Sequence, residues 1–141
     1  MLNKLIIIRF LPLTQNNIRN YIIHNSDGII YHYTLKENIE NIKKYGLIPN
    51  NLSHSTYPKR IFFIININNS SYINFEKYKK SIKNTLTLNY FKKYKKLSDI
   101  CELKLNINEL PENINFYVDI NSFPYAIFTE DKINSKYIKF K

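Results

Sequence analysis

Glycine is almost missing from this chain: its 141 residues include two glycines, one cysteine, one methionine and no tryptophan. Gly28 and Gly46 alone cannot make a glycine-rich phosphate loop or a dinucleotide fingerprint, which need several backbone positions without a side chain. No nucleophile elbow is present either. The single Cys101 cannot close an internal disulfide, so nothing calls for an oxidising compartment. It lies in the apolar run Ile100-Cys101-Glu102-Leu103 and reads as a buried, inert thiol. No cysteine–histidine spacing fits a zinc site. Long apolar runs are missing as well. Leu5-Ile6-Ile7-Ile8 after Lys4 begins like a signal peptide, but Arg9 ends the run and no small-residue cleavage site follows. No run is long enough to cross a bilayer. The expectation is a cytoplasmic type of chain without membrane contact.

Acidic residues are scarce too. Eleven Asp and Glu stand against 21 Lys and Arg, a net charge of +10. Such an imbalance favours phosphate-rich partners or anionic surfaces. A lysine-rich solvated surface explains the same figure, and the heavy use of Ile, Asn and Lys is what an AT-rich genome imposes through its codons. What the chain has in quantity is apolar and aromatic surface: 44% hydrophobic residues, with 12 Tyr and 9 Phe. That is enough for the core of one domain over residues 1–141.

Local patterns place the elements. Leu5–Phe10 is short and β-branched and reads as a strand. Residues 14–25 carry Ile18, Ile22 and Ile23 at helical spacing, and Ser26-Asp27-Gly28 is a turn signal. Ile29–Tyr33 has two apolar or aromatic faces, as a central strand does. Thr34-Leu35-Lys36-Glu37 matches a capping box, and Leu35, Ile39 and Ile42 follow in helical phase. Gly46, Leu47 and Pro49 then supply a stop. Arg60–Ile67 reads as a buried strand, Ile73–Lys83 as a helix with Phe75, Tyr78 and Ile82 on one face, and residues 87–97 as a second helix. The Lys92–Lys96 cluster is that helix's solvated face or a phosphate-tracking patch. From Asp99 the period falls to two, giving strands at 100–107, 116–118, 125–129 and 137–140. Mixed elements followed by a β-rich end imply an α+β fold.

Few residues carry chemistry. No serine or cysteine has an evident partnered base. His32 ends a buried strand beside a helix N-terminus, a place that suits phosphate. A structural histidine hydrogen-bonded at a strand end would sit there equally well.

Ile30-Tyr31-His32-Tyr33-Thr34, with Asn38, Ile42, Gly46-Leu47 and Pro49, resembles the opening motif of ADP-ribosyltransferases. It is similar to the His-Tyr-Glu type, which includes poly-ADP-ribose polymerases and diphtheria-like toxins, and to RNA 2′-phosphotransferases. Arg60-Ile61-Phe62-Phe63 and Ser70-Ser71-Tyr72 resemble the family's second strand and next helix start. Tyr125-Ala126-Ile127-Phe128 and residues 133–138 resemble its closing strand pair. The resemblance implies a split β-sheet core with flanking helices, and NAD as the bound substrate. It implies His32 and Thr34 on the adenosine-ribose and nicotinamide side, Ser71 or Ser70 bonded to the carboxamide, and Tyr72 stacked on nicotinamide. Phe62 stands where the family usually has Tyr. The family's catalytic Glu falls at Pro124, which has no carboxylate. Asp119 and Glu130 are the candidates for a replacement acid.

Three functions follow as expectations. One is a transferase that moves ADP-ribose from NAD to a protein or nucleic-acid acceptor. A second is a catalytically degenerate member of the fold, a binding or structural protein of a virus or mobile element. The third is a basic nucleic-acid-binding module without an NAD site, for which the aromatics and lysines look spread rather than gathered.

Overall fold

A computed structural model describes residues 15–49, 59–67, 75–89, 97–118 and 126–140. Among them are three α-helices and six strands. The helices are α1 (Gln15–Asn25), α2 (Ile39–Tyr45) and α3 (Phe75–Asn89). The strands are β1 (Ser26–Leu35), β2 (Ile61–Ile67), β3 (Ile100–Asn106), β4 (Phe116–Val118), β5 (Ala126–Thr129) and β6 (Ile138–Lys139). The strands form one antiparallel sheet in the order β4-β5-β2-β1-β3-β6. The α+β class expected from the sequence is therefore present.

Helix α1 buries Ile18, Tyr21 and Ile22, a stripe at i, i+3 and i+4. It passes directly into β1. The Ser26 hydroxyl donates to the Ile22 carbonyl, and the Asn25 amide donates to the Tyr21 carbonyl at 3.0 Å. Two carbonyls of the last turn are thus satisfied by side chains. Ser26-Asp27-Gly28 is consequently the irregular start of β1 rather than a separate turn. Gly28 has φ of +78° and lies where the register against β2 shifts, between Ser26 and Ile30.

Strand β1 is central, and its alternation divides the core. Ile30, His32 and Thr34 face one way, and Tyr31, Tyr33 and Leu35 the other. The first face belongs to the larger cluster. There α1 and Ile42 of α2 pack on Ile30, Phe63, Ile65, Leu103, Leu105, Phe116 and Ile127. The second face joins Tyr31, Tyr33 and Leu35 to Ile64 and Ile100 beneath Phe75, Tyr78 and Ile82 of α3. Phe75 meets Tyr31 edge-on, with ring centroids 5.3 Å apart.

The expected capping box does not form. Strand β1 runs on through Leu35, a 3-10 turn spans Lys36–Asn38, and neither Leu35 nor Asn38 makes a side-chain cap. Thr34 is held in the β1–β3 ladder opposite Cys101, and its Oγ1 accepts from Asn38 Nδ2 at 3.1 Å. Strand pairing has won over local helix signals. The stop is as expected in position: the Gly46 amide donates to the Ile42 carbonyl at 2.8 Å, and Leu47 is buried. Gly46 has φ of 80° with extended ψ, so it leaves the helix without a left-handed turn.

Three other expectations shift. Helix α3 runs through Asn89, so residues 87–89 continue one helix instead of opening a second. Tyr137 lies in a 3-10 turn ahead of β6. Cys101 is free but only partly buried. Strand Leu5–Phe10 and the Lys92–Lys96 cluster lie outside the described residues.

Candidate functional site

The site builds outward from the place where β1 and β2 part. Their paired register ends at Tyr31↔Ile64, whereas β1 stays paired with β3 as far as Leu35↔Ile100. At the parting, His32 Nδ1 lies 2.7 Å from the Phe62 carbonyl. A carbonyl only accepts, so Nδ1 carries the proton and donates. Nε2 is left as the acceptor of a neutral imidazole. Among the described residues no group is bonded to Nε2. Burial pushes the His32 pKa below its ordinary value, and the Phe62 carbonyl pulls it back only in part.

The backbone register fixes what surrounds this ring. His32 is paired with Leu103 on β3. On the other side the imidazole meets the Phe63 ring at 5.6 Å between centroids, and Phe63 is paired with Ile127 on β5. The row across four strands is Leu103, His32, Phe63, Ile127. Its three apolar members are fully buried, and the row holds no carboxylate.

Thr34, two residues on, shares the His32 face and is buried. Phe62 does not share it. Its side chain points to the opposite face and packs on Phe128 at 5.6 Å, so it reaches His32 only through its backbone oxygen. Phe63 is the member of that aromatic pair beside the imidazole. Glu130 is exposed and follows β5. It lies three residues along the strand from Ile127 and two strands over from β1, about 10 Å in each direction. The fold does not bring it to His32. Asp119, Ser70, Ser71, Tyr72 and Pro124 lie outside the described residues.

Sequence patterns gave no sign of a polar network on the other face. The Tyr33 hydroxyl donates to Glu102 Oε2 at 2.8 Å, and the Tyr31 hydroxyl donates to Asp27 Oδ2 at 2.8 Å. Lys79 of α3 bridges Glu102 and Glu76, each at 3.2 Å, and sits 5.2 Å from the Tyr31 ring centroid. Burial works to raise the Glu102 carboxyl, but the Tyr33 hydroxyl and the Lys79 ammonium outweigh it and hold the group below its usual range. Burial and the neighbouring carboxylates push both tyrosines upward. The network fastens α3 to the sheet. Its one sequence-visible member is Glu102, a charge inside an apolar strand.

Beside it a pocket of about 450 Å³ opens along β3, lined by Ile39, Lys43, Glu76, Lys79, Lys83, Ile100, Cys101, Glu102, Leu103 and Phe140. His32 and Thr34 are not among its walls. Among the described residues no cluster of His, Cys, Asp and Glu could hold a metal ion, and no helix is long and apolar enough to span a membrane. No protein-family model matches the chain, and no curated protein matches it.

Proposed function

We propose that this chain is an ADP-ribosyltransferase-like protein that binds NAD, or a nucleotide of that kind, at His32 and does not turn it over. The family resemblance of Ile30–Pro49 supplies the ligand class. One arrangement supports binding: the Nδ1–H of His32 is committed to the Phe62 carbonyl, which presents Nε2 as a fixed acceptor for a donor such as a ribose hydroxyl. Thr34 is beside it on the same face.

The same arrangement argues against catalysis. Breaking the nicotinamide–ribose bond develops positive charge on the sugar, and a carboxylate is the group that stabilises it. The row that holds His32 offers Leu103, Phe63 and Ile127. Pro124 stands where the family resemblance calls for Glu.

Thermal melting with and without NAD tests binding, and radiolabelled NAD tests turnover. The expected results are a rise in melting temperature that His32→Ala abolishes, and no labelled macromolecule or free nicotinamide. Release of nicotinamide, lost in Glu130→Gln or Asp119→Asn, would instead establish the transferase. A chain that ignores NAD but binds an oligonucleotide salt-sensitively would be a basic nucleic-acid module.

A further inference from the structure

Asn38 stands at the N-cap position of α2 and does no capping. Asparagine is among the best capping residues where the backbone is extended. Asn38 ends the 3-10 turn instead, with φ of −90° and ψ of −11°, and its side chain makes no cap. That side chain turns back to β1, where Nδ2 donates to Thr34 Oγ1 at 3.1 Å. An amide on an exposed residue thus serves the hydroxyl of a residue that is only 6% exposed.

The bond sets the polarity of the Thr34 hydroxyl. A hydroxyl has one proton to give and two lone pairs. The Asn38 amide N–H takes a lone pair and cannot take the proton. Among the described residues no oxygen accepts that proton. A buried donor in that state costs free energy until something pairs with it. Thr34 therefore offers a donor on the face it shares with His32. His32 offers the opposite: its Nδ1–H is spent on the Phe62 carbonyl, and Nε2 only accepts. The two residues lie two apart in β1, about 7 Å between Cα atoms. An acceptor and a donor at that spacing suit a ligand with neighbouring hydroxyls, since a hydroxyl can play either part. A phosphate diester only accepts, and at Nε2 it would set lone pair against lone pair.

We propose, on the reading that His32 binds a nucleotide, that Asn38 is a positioning residue of that site: it holds the Thr34 hydroxyl as a donor to a ribose hydroxyl of the ligand. Asn38 acts only through Thr34.

Isothermal titration of NAD into the natural chain, Asn38→Ala, Thr34→Val and the double variant tests this. Asn38→Ala and Thr34→Val should each weaken NAD binding roughly threefold to tenfold, the worth of one neutral hydrogen bond. The double variant should bind no more weakly than Thr34→Val alone, because Asn38 then has nothing to act on. Thr34→Ser keeps the hydroxyl and should keep the response to Asn38→Ala. A second reading replaces no buried residue. Four NAD analogues, each lacking one ribose hydroxyl, are titrated into the natural chain and Asn38→Ala. One omission should weaken binding to the natural chain by a similar factor and leave Asn38→Ala unaffected. NAD binding undiminished in Asn38→Ala would overturn the proposal, as would losses that multiply in the double variant, or analogues that weaken both chains alike. No NAD binding by the natural chain would instead remove the nucleotide site itself, and the role of Asn38 with it.

Discussion

At the scale of single residues, two side chains show how a half-buried polar group beside the apolar core is held. His32 is neutral because burial opposes its charge and a carbonyl fixes its tautomer. In the unfolded chain the imidazole titrates near 6.5, while the folded ring resists protonation. The unfolded state then binds more protons below pH 6.5, so the stability contributed is full at neutral pH and falls as pH drops through the lower folded value. Denaturant midpoints at pH 7.5 and 5.0 should differ more for the natural chain than for His32→Gln. Arg19 is the other case. Its guanidinium reaches four carbonyls, at Ile107, Leu110, Pro111 and Ile114, from 2.6 to 3.4 Å away, and lies 5.4 Å from the Phe116 ring centroid. Burial pushes its pKa down, with Glu112 working the other way. The planar fork has five donors in a fixed geometry and serves four acceptors here, whereas an ammonium has three donors at a single atom. Arg19→Met should cost about 2–4 kcal/mol, and Arg19→Lys should recover only part, as read from urea unfolding.

At the scale of elements, the two glycines separate conformational strain from steric overlap. Both have positive φ, but among the described residues a Cβ at Gly28 would meet nothing nearer than Asn108 Nδ2 at 3.8 Å, whereas at Gly46 it would overlap the Ile133 carbonyl oxygen. Leu47 and Ile133 exchange backbone hydrogen bonds at 2.9 and 3.0 Å, so that carbonyl cannot retreat freely. Gly28→Ala should cost about 1 kcal/mol, and Gly46→Ala about 3 kcal/mol or more. A second comparison concerns α3. The Glu102 carboxyl is held low, so its stabilising effect is present above its ordinary 4.5 and is lost as pH falls through the folded value. Tyr33→Phe removes one cause of that depression and should raise the midpoint of acid unfolding, followed by circular dichroism.

These elements also mark where sequence patterns were informative. The two-sided strand β1, the stop at Gly46 and the α3 face of Phe75, Tyr78 and Ile82 rest on local signals and are in place, whereas the stripe of α1 keeps Ile18 and Ile22 but buries Tyr21 and leaves the expected Ile23 exposed. The capping box at Thr34 is absent because a ladder seven residues long holds Thr34 against Cys101. That pairing spans 67 positions and leaves no local trace. The site divides in the same way. His32 and Thr34 share a face because they are two apart in one strand. The opposite orientation of Phe62, the apolar row through Ile127 and the Tyr33–Glu102–Lys79 contacts all depend on which strands become neighbours.

At the scale of the whole molecule, the sheet order puts the His32 strand between β2 and β3. One face of that strand carries the His32 imidazole beside Thr34. We propose that His32 accepts a nucleotide hydroxyl without supporting turnover. Nitrogen-15 NMR of the chain labelled at histidine, titrated with NAD, reads the hydrogen bond, and the proton spectrum of the same sample reads turnover. The expected result is a neutral His32 whose Nδ1 signal keeps its hydrogen-bonded position while Nε2 shifts with NAD, and nicotinamide signals that stay those of intact NAD. An Nε2 signal unmoved at saturating NAD, or the growth of free nicotinamide, would contradict it.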